Sequence, residues 1–323
     1  MRDAITAQPH QIGDALWRVD AADIPKRDLA GGLLVCGMGG SAIGGDLAAA
    51  AIGPRATGQV RIVRGYAPDP WVGDQTLVLC ASYSGGTEET LACFDAAGEQ
   101  GAPRVVLTTG GELAERARAD GVPVIGVPSG LQPRAAVVYM TVAALQCAAA
   151  CGAVPSLHDE IEGAVPVLEE LADGDDEPGR VAQALDGTIP VVHGAELTAA
   201  PARRWKGQLN ENSNVAAFAS ELPEANHNEI EGWAHAREQA RFSAVFLGSG
   251  RLHPRVRRRI ELSAEGLEAG GVPVLHVQAR GDTPVAEVLS LVMLGDLASV
   301  ALAELGGVDP TAMEAIEGFK ARL

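Results

Sequence analysis

At 323 residues the chain is long for one hydrophobic core and suits two domains of ordinary size. Its 47% hydrophobic and 21% charged residues exclude a disordered or fibrous protein and describe an aliphatic-cored globular one. A formal net charge of -17 argues against nucleic acid as a partner, because phosphate backbones need neutralising Lys and Arg.

The chain opens with Asp3 to Val19, where Ile5, Ile12 and Leu16 recur at helical spacing. The stretch lacks the basic start and apolar centre of a secretory leader, so a cytoplasmic protein is expected. Leu33 to Cys36 reads as a buried strand, followed by a glycine turn and a helix from about Ser41 to Ile52. Further strands are expected at Val60 to Val63, Leu77 to Ala81, Val105 to Thr108 and Val122 to Val127. A helix from Pro133 to Cys151 closes this half. Its apolar part has transmembrane length but is mainly alanine and holds Thr141 and Gln146, so a buried crossing helix is expected and no membrane span.

A boundary near Val154 divides the chain into domains 1–153 and 154–323. The acidic stretch Asp173 to Gly179 reads as a solvated helix–helix loop. Strands then return at Ile189 to His193, Ala244 to Leu247 and Val272 to Val277, with helices around Arg203 to Asn212, Arg255 to Ala269 and Val285 to Leu305. Glu221 to Ile230 reads as a polar, proline-bounded loop. Arg255, Arg257, Arg258 and Arg259 share a helix with Glu261 and Glu265, which describes a solvated face. Strands apolar throughout, each followed by a helix, predict an α/β fold: two doubly wound domains, each a mainly parallel sheet flanked by helices. Right-handed crossovers place any ligand along the carboxyl edge of such a sheet.

Cys36, Cys80, Cys93, Cys147 and Cys151 lie in apolar runs without a CxxC pair, as expected of free core thiols in a reducing cytosol. Two glycine-rich turns carry more chemistry. Ser82-Tyr83-Ser84-Gly85-Gly86-Thr87 follows a strand and precedes an amphipathic helix. Its glycines let successive N–H groups converge, three hydroxyls surround that point, and the positive end of a helix dipole lies behind it. Gly37-Met38-Gly39-Gly40-Ser41-Ala42 fits the dinucleotide fingerprint as Gly37-x-Gly39-x-x-Ala42. However, the second strand ends in Arg64 rather than in the acid that would hold a ribose. Two hydroxyl-rich turns on neighbouring strands fit one compact phosphosugar better than an extended dinucleotide. The acidic surface repels anions at long range, so such a site must work through local dipoles and a few specific cations.

GMGGSAIGGD, SYSGGTEET and the later NENSNVAAFASELPEANHNEIEGW resemble the signatures of the sugar isomerase (SIS) domain superfamily. More narrowly, they are similar to those of the bifunctional phosphoglucose/phosphomannose isomerases, over nearly the whole chain. The resemblance implies two SIS domains, a sugar 6-phosphate substrate and a homodimer with its active site near the subunit interface. It also implies residue roles. Gly40, Ser41, Ser82, Ser84 and Thr87 would bind phosphate and nearby hydroxyls, and Arg134 would sit by the enediolate. Glu211 would move the proton between C1 and C2, and His227 and Lys320 would assist ring opening. Family members often carry Lys where this chain has Asn214, and a small residue where it has Met313.

The chemistry asks for these residue types. Aldose–ketose isomerisation needs a base that takes a proton α to a carbonyl and returns it next door, which one carboxylate can do. A cation beside the oxygens stabilises the enediolate. Neither a metal nor another cofactor is required. A zinc isomerase built on His227, Glu229, Glu231 and His235 is the competing enzyme reading, although the spacing is not HExxH. A SIS-type sensor that binds phosphosugar without turnover is the competing non-enzyme reading.

Overall fold

Strands whose residues are apolar on both faces must be covered on both faces, and that requirement sets the architecture. The structure, a computed structural model, describes the whole chain except Asp175, Ala321, Leu323 and the side chain of Lys320. It separates into two compact units. One comprises Ala7–Glu169 with Asp282–Ala286; the other comprises Met1–Thr6, Glu170–Gly281 and Glu287–Leu323.

The first unit holds β1 (Gly32–Gly37), β2 (Val60–Val63), β3 (Thr76–Ala81), β4 (Arg104–Thr108) and β5 (Val124–Gly126). Their order is β2-β1-β3-β4-β5, every neighbour parallel. Every residue of β1 and β3 is buried, in a register running from Gly32 opposite Thr76 to Gly37 opposite Ala81. Leu34, Val78, Phe94 and Val106 form part of the core on one face. Burial of a side chain such as Phe94 is worth about 1.5–3 kcal/mol. Helices Gly39–Ile52 and Val137–Ala150 pack closely because Gly44 has no Cβ to collide with Met140.

The second unit holds β6 (Ile189–Ala195), β7 (Phe218–Leu222), β8 (Phe242–Gly248) and β9 (Val274–Gln278), all parallel in the order β7-β6-β8-β9. The chain is thus α/β with two doubly wound parallel sheets, as its strand pattern predicts.

Several boundaries differ from the sequence reading. The expected first helix is two, Arg2–Thr6 and Gln8–Ala21, because Pro9 is tolerated only in the first turn of a helix. The residues 218–222, which include the start of the expected polar loop, form β7. As an edge strand it leaves Phe218, Ala219 and Glu221 exposed and so lacks the continuous apolar signal of its neighbours. Of the expected loop Asp173 to Gly179, the last three residues already belong to helix Glu177–Leu185, with Pro178 in its first turn, and Asp175 lies outside the described residues. The apolar helical segments Pro133–Ala150 and Pro284–Leu305 are long enough to cross a membrane, but 78% of the first and 94% of the most apolar 18 residues of the second lie buried, as core helices do. All five cysteines are buried and free. Contact with Cys80 pushes the Cys36 thiol up, and burial does the same for Cys147, so both stay protonated and inert.

One buried polar group makes the second unit sensitive to acid. His193 on β6 is stacked 4.6 Å from Phe246 in a cleft also lined by Trp233, and neither ring nitrogen has a hydrogen-bond partner. Burial lowers its pKa from 6.5 to about 4. The folded state therefore binds fewer protons than the unfolded chain across that window, and stability rises with pH through it. The contribution is intact above pH 6.5 and is lost as pH falls toward 4, about 3 kcal/mol in all. Urea unfolding at pH 7 and pH 4.5 should show a steeper loss for the parent than for His193→Leu. Equal losses would contradict this origin for the acid sensitivity.

Candidate active site

In a doubly wound sheet, ligands bind outside the carboxyl ends of the strands where the strand order reverses, because successive crossovers leave in opposite directions there. The first sheet reverses between β1 and β3, and the two glycine turns follow those strands. Met38 is extended (φ -126°, ψ 155°) and the helix begins at Gly39, so Gly40 and Ser41 lie in its first turn rather than ahead of it. That turn carries no acidic residue and no side-chain cap, so no carboxylate of its own offsets the helix dipole, although the Ser41 N–H is already bonded to Met38 O at 3.0 Å. The helix after β3 also lacks a side-chain cap, but Glu88 and Glu89 in its first turn offset part of its dipole. The first helix is therefore the better place for an anion.

The hydroxyls converge on the same edge. Ser82 Oγ lies 2.8 Å from Thr87 Oγ1 and accepts the Gly85 N–H at 3.1 Å. Ser84 Oγ, more exposed, accepts the Gly86 N–H at 3.3 Å. Ser41 Oγ accepts the Tyr83 N–H at 3.3 Å, which joins the two turns directly. Gly85 needs its glycine twice over. Its φ is +71°, and a Cβ there would overlap the Gly110 carbonyl. Gly40 brings Arg134 in: a Cβ on it would stand 3.2 Å from Pro133 O and 3.3 Å from Arg134 Cα. Arg134 is only 3% exposed, in the 3-10 turn Pro133–Ala136. Gly40, Ser41, Ser82, Ser84, Thr87 and Arg134 are thus gathered at one sheet edge. Arg64, the residue that could have suited a ribose phosphate, is instead paired with Asp46.

The second sheet reverses between β6 and β8, and its crevice is furnished differently. Ser249 Oγ donates to Glu287 Oε2 at 2.5 Å and Arg251 Nε donates to Glu287 Oε1 at 3.1 Å. The His253 N–H is taken by Glu196 Oε2 at 2.9 Å. The protein's own carboxylates occupy the donors here. No such signal was visible in the sequence, because Glu287 lies 38 residues from Ser249.

Glu211 belongs to the second unit and sits half-buried in the last turn of helix Ala199–Ser213. Its neighbours fix that turn: Asn212 Nδ2 donates to Ser299 Oγ at 2.9 Å, and Ser213 Oγ donates to Ser299 O at 2.7 Å. Asn214 ends the helix in the left-handed conformation (φ 53°, ψ 31°), which Asn adopts more readily than Lys. The departure at this position therefore has a backbone reason. His227 is exposed on the short helix Ala225–Asn228, on a different element from Glu211. The side chain of Lys320 lies outside the described residues. Of the alternative metal cluster, Glu229 accepts from Ser220 Oγ at 2.6 Å and His235 pairs with Glu238. Among the described residues no three His, Cys, Asp or Glu side chains are grouped to hold a metal.

Comparison with known proteins follows the same lines. Residues 175–323 match the family described as the bacterial phospho-glucose isomerase C-terminal SIS domain. The chain is 37% identical over 294 residues to a bifunctional phosphoglucose/phosphomannose isomerase of Aquifex aeolicus, covering 90% of each chain. It is 35% identical to a protein of the same name from Caldicellulosiruptor bescii, covering 94% of this chain and 91% of the other. The fold matches that of a hypothetical protein from Thermus thermophilus with a TM-score of 0.76 at 17% identity, over 98% of this chain and 88% of that one.

Proposed function

The chain belongs to the family of bifunctional phosphoglucose/phosphomannose isomerases, and from that premise we propose that it interconverts glucose 6-phosphate and mannose 6-phosphate with fructose 6-phosphate through a metal-free enediol(ate) mechanism. The turns after β1 and β3 take the phosphate and nearby hydroxyls through Gly40, Ser41, Ser82, Ser84 and Thr87. Arg134 offsets the charge that develops on the enediolate oxygens. Glu211 removes the C2 proton of the open aldose and returns it to C1, giving the ketose. His227 and Lys320 move the proton between the ring oxygen and the anomeric hydroxyl. Glucose and mannose phosphates differ only in configuration at C2, and the enediol has no stereocentre there. One base and one intermediate therefore serve both epimers.

The observation that carries this reading is the β1–β3 crevice, where hydroxyls from both turns meet an uncapped helix start, while the corresponding crevice of the second sheet is filled by Glu287. We also take the protein to act in the cytosol as a homodimer with its active site near the subunit interface. Purified protein given fructose 6-phosphate is expected to form both aldose 6-phosphates and to keep full activity after dialysis against a chelator. Binding without either product would reduce it to a phosphosugar sensor. Activity lost to the chelator and restored by zinc would remove the metal-free step.

A further inference from the structure

Tyr83 is the one side chain of the hydroxyl turn that the chemistry above leaves unused, yet its backbone and phenol together reach the segments after β1, β4 and β5. Its N–H donates to Ser41 Oγ at 3.3 Å in the turn after β1. Its carbonyl accepts from Thr109 N at 3.1 Å and from Thr109 Oγ1 at 2.9 Å, after β4. Its phenol donates to Pro128 O at 3.0 Å and accepts the Leu131 N–H at 2.9 Å, in the segment after β5. That segment contains Gly130 at φ +91°, between Pro128 and Pro133. It leads within three residues to Arg134, whose backbone is already in close approach to Gly40.

We propose that Tyr83 is a positioning residue that sets Arg134 against the phosphate turn, by pinning the 128–131 segment through both functions of its hydroxyl. The inference rests on the role given to Arg134 above. A phenol that both donates and accepts satisfies two backbone groups at once, and phenylalanine would leave both without that partner. The ring would still fill its place, so the fold survives while the segment gains freedom. Displacement of a stabilising cation by about 1 Å is enough to cost on the order of 10²-fold in turnover.

The test is a double-mutant cycle on fructose 6-phosphate turnover, with inhibition by inorganic phosphate as the binding readout. Tyr83→Phe is expected to lower kcat by about 10–100-fold, with KM and the phosphate inhibition constant moving by less than about threefold. In the Arg134→Ala background the same change should cost less than about threefold. Amide exchange at Leu131 should quicken in Tyr83→Phe, reporting the released segment directly. Additive losses, or a fall in phosphate affinity that matches the fall in kcat, would overturn the proposal while leaving Arg134 in its role. A normal kcat for Arg134→Ala would remove that role and the inference with it.

Discussion

Glu211→Gln should lower kcat for isomerisation by at least about 10³-fold, with KM and inhibition by phosphate changed by less than about threefold. Glutamine keeps the shape of the side chain and cannot accept the C2 proton, so only the step that needs a base is removed. A second readout separates chemistry from damage. Glu211 sits in the last turn of its helix, which carries no basic residue, where a carboxylate meets the negative end of the dipole. Glutamine keeps the length of the side chain and a hydrogen-bonding head, so the variant should melt within a few degrees of the parent. Turnover within tenfold of the parent would take Glu211 out of the mechanism. A melting temperature well below the parent's would show that the side chain is structural.

The fold was legible where burial speaks through composition. β1 and β3 are buried at every residue, and their unbroken apolar runs stood out in the sequence. β7 was not legible, because an edge strand with exposed Phe218, Ala219 and Glu221 reads like a loop. The helix carrying Glu211 begins at Ala199, four residues before the expected start, because Pro201 in its first turn needs no partner for a missing N–H. The two hydroxyl-rich turns were legible for a local reason: glycine, hydroxyl and helix start all lie within a few residues. What joins those turns was not. Tyr83 meets Ser41, Pro128 and Leu131 at separations of 42, 45 and 48 residues, and no spacing rule connects them. The occupied crevice of the second sheet has no local signature for the same reason, since Glu287 lies 38 residues from Ser249. Glu211 and His227 were singled out by resemblance, since a helical carboxylate and an exposed imidazole carry no mark of their own.

The helix that presents Glu211 depends on a buried ion pair, and breaking it should have the largest effect on stability. Arg204 and Asp296 are 4% and 0% exposed at their side chains. They pair as two forks, Nε to Oδ1 at 3.0 Å and Nη2 to Oδ2 at 2.9 Å. Trp205 Nε1 donates to Leu291 O at 2.7 Å beside it, and its ring fits because Gly295 has no Cβ there. At the far end Asn212 and Ser213 both reach Ser299. Asp296→Ala would leave a guanidinium buried without its counter-ion, and urea unfolding should show a loss of about 3–5 kcal/mol. The double change Arg204→Met with Asp296→Leu removes both charges and should recover most of that loss, because the pair's attraction only offsets its own desolvation. Turnover should recover less, staying about tenfold below the parent, since an apolar contact accepts a slipped helix that a bidentate fork rejects. A loss below about 1 kcal/mol in Asp296→Ala would mean that water or another carboxylate replaces the partner. Full return of turnover in the double variant would mean that packing alone fixes the register of the helix, and that the ion pair has no part in aiming Glu211.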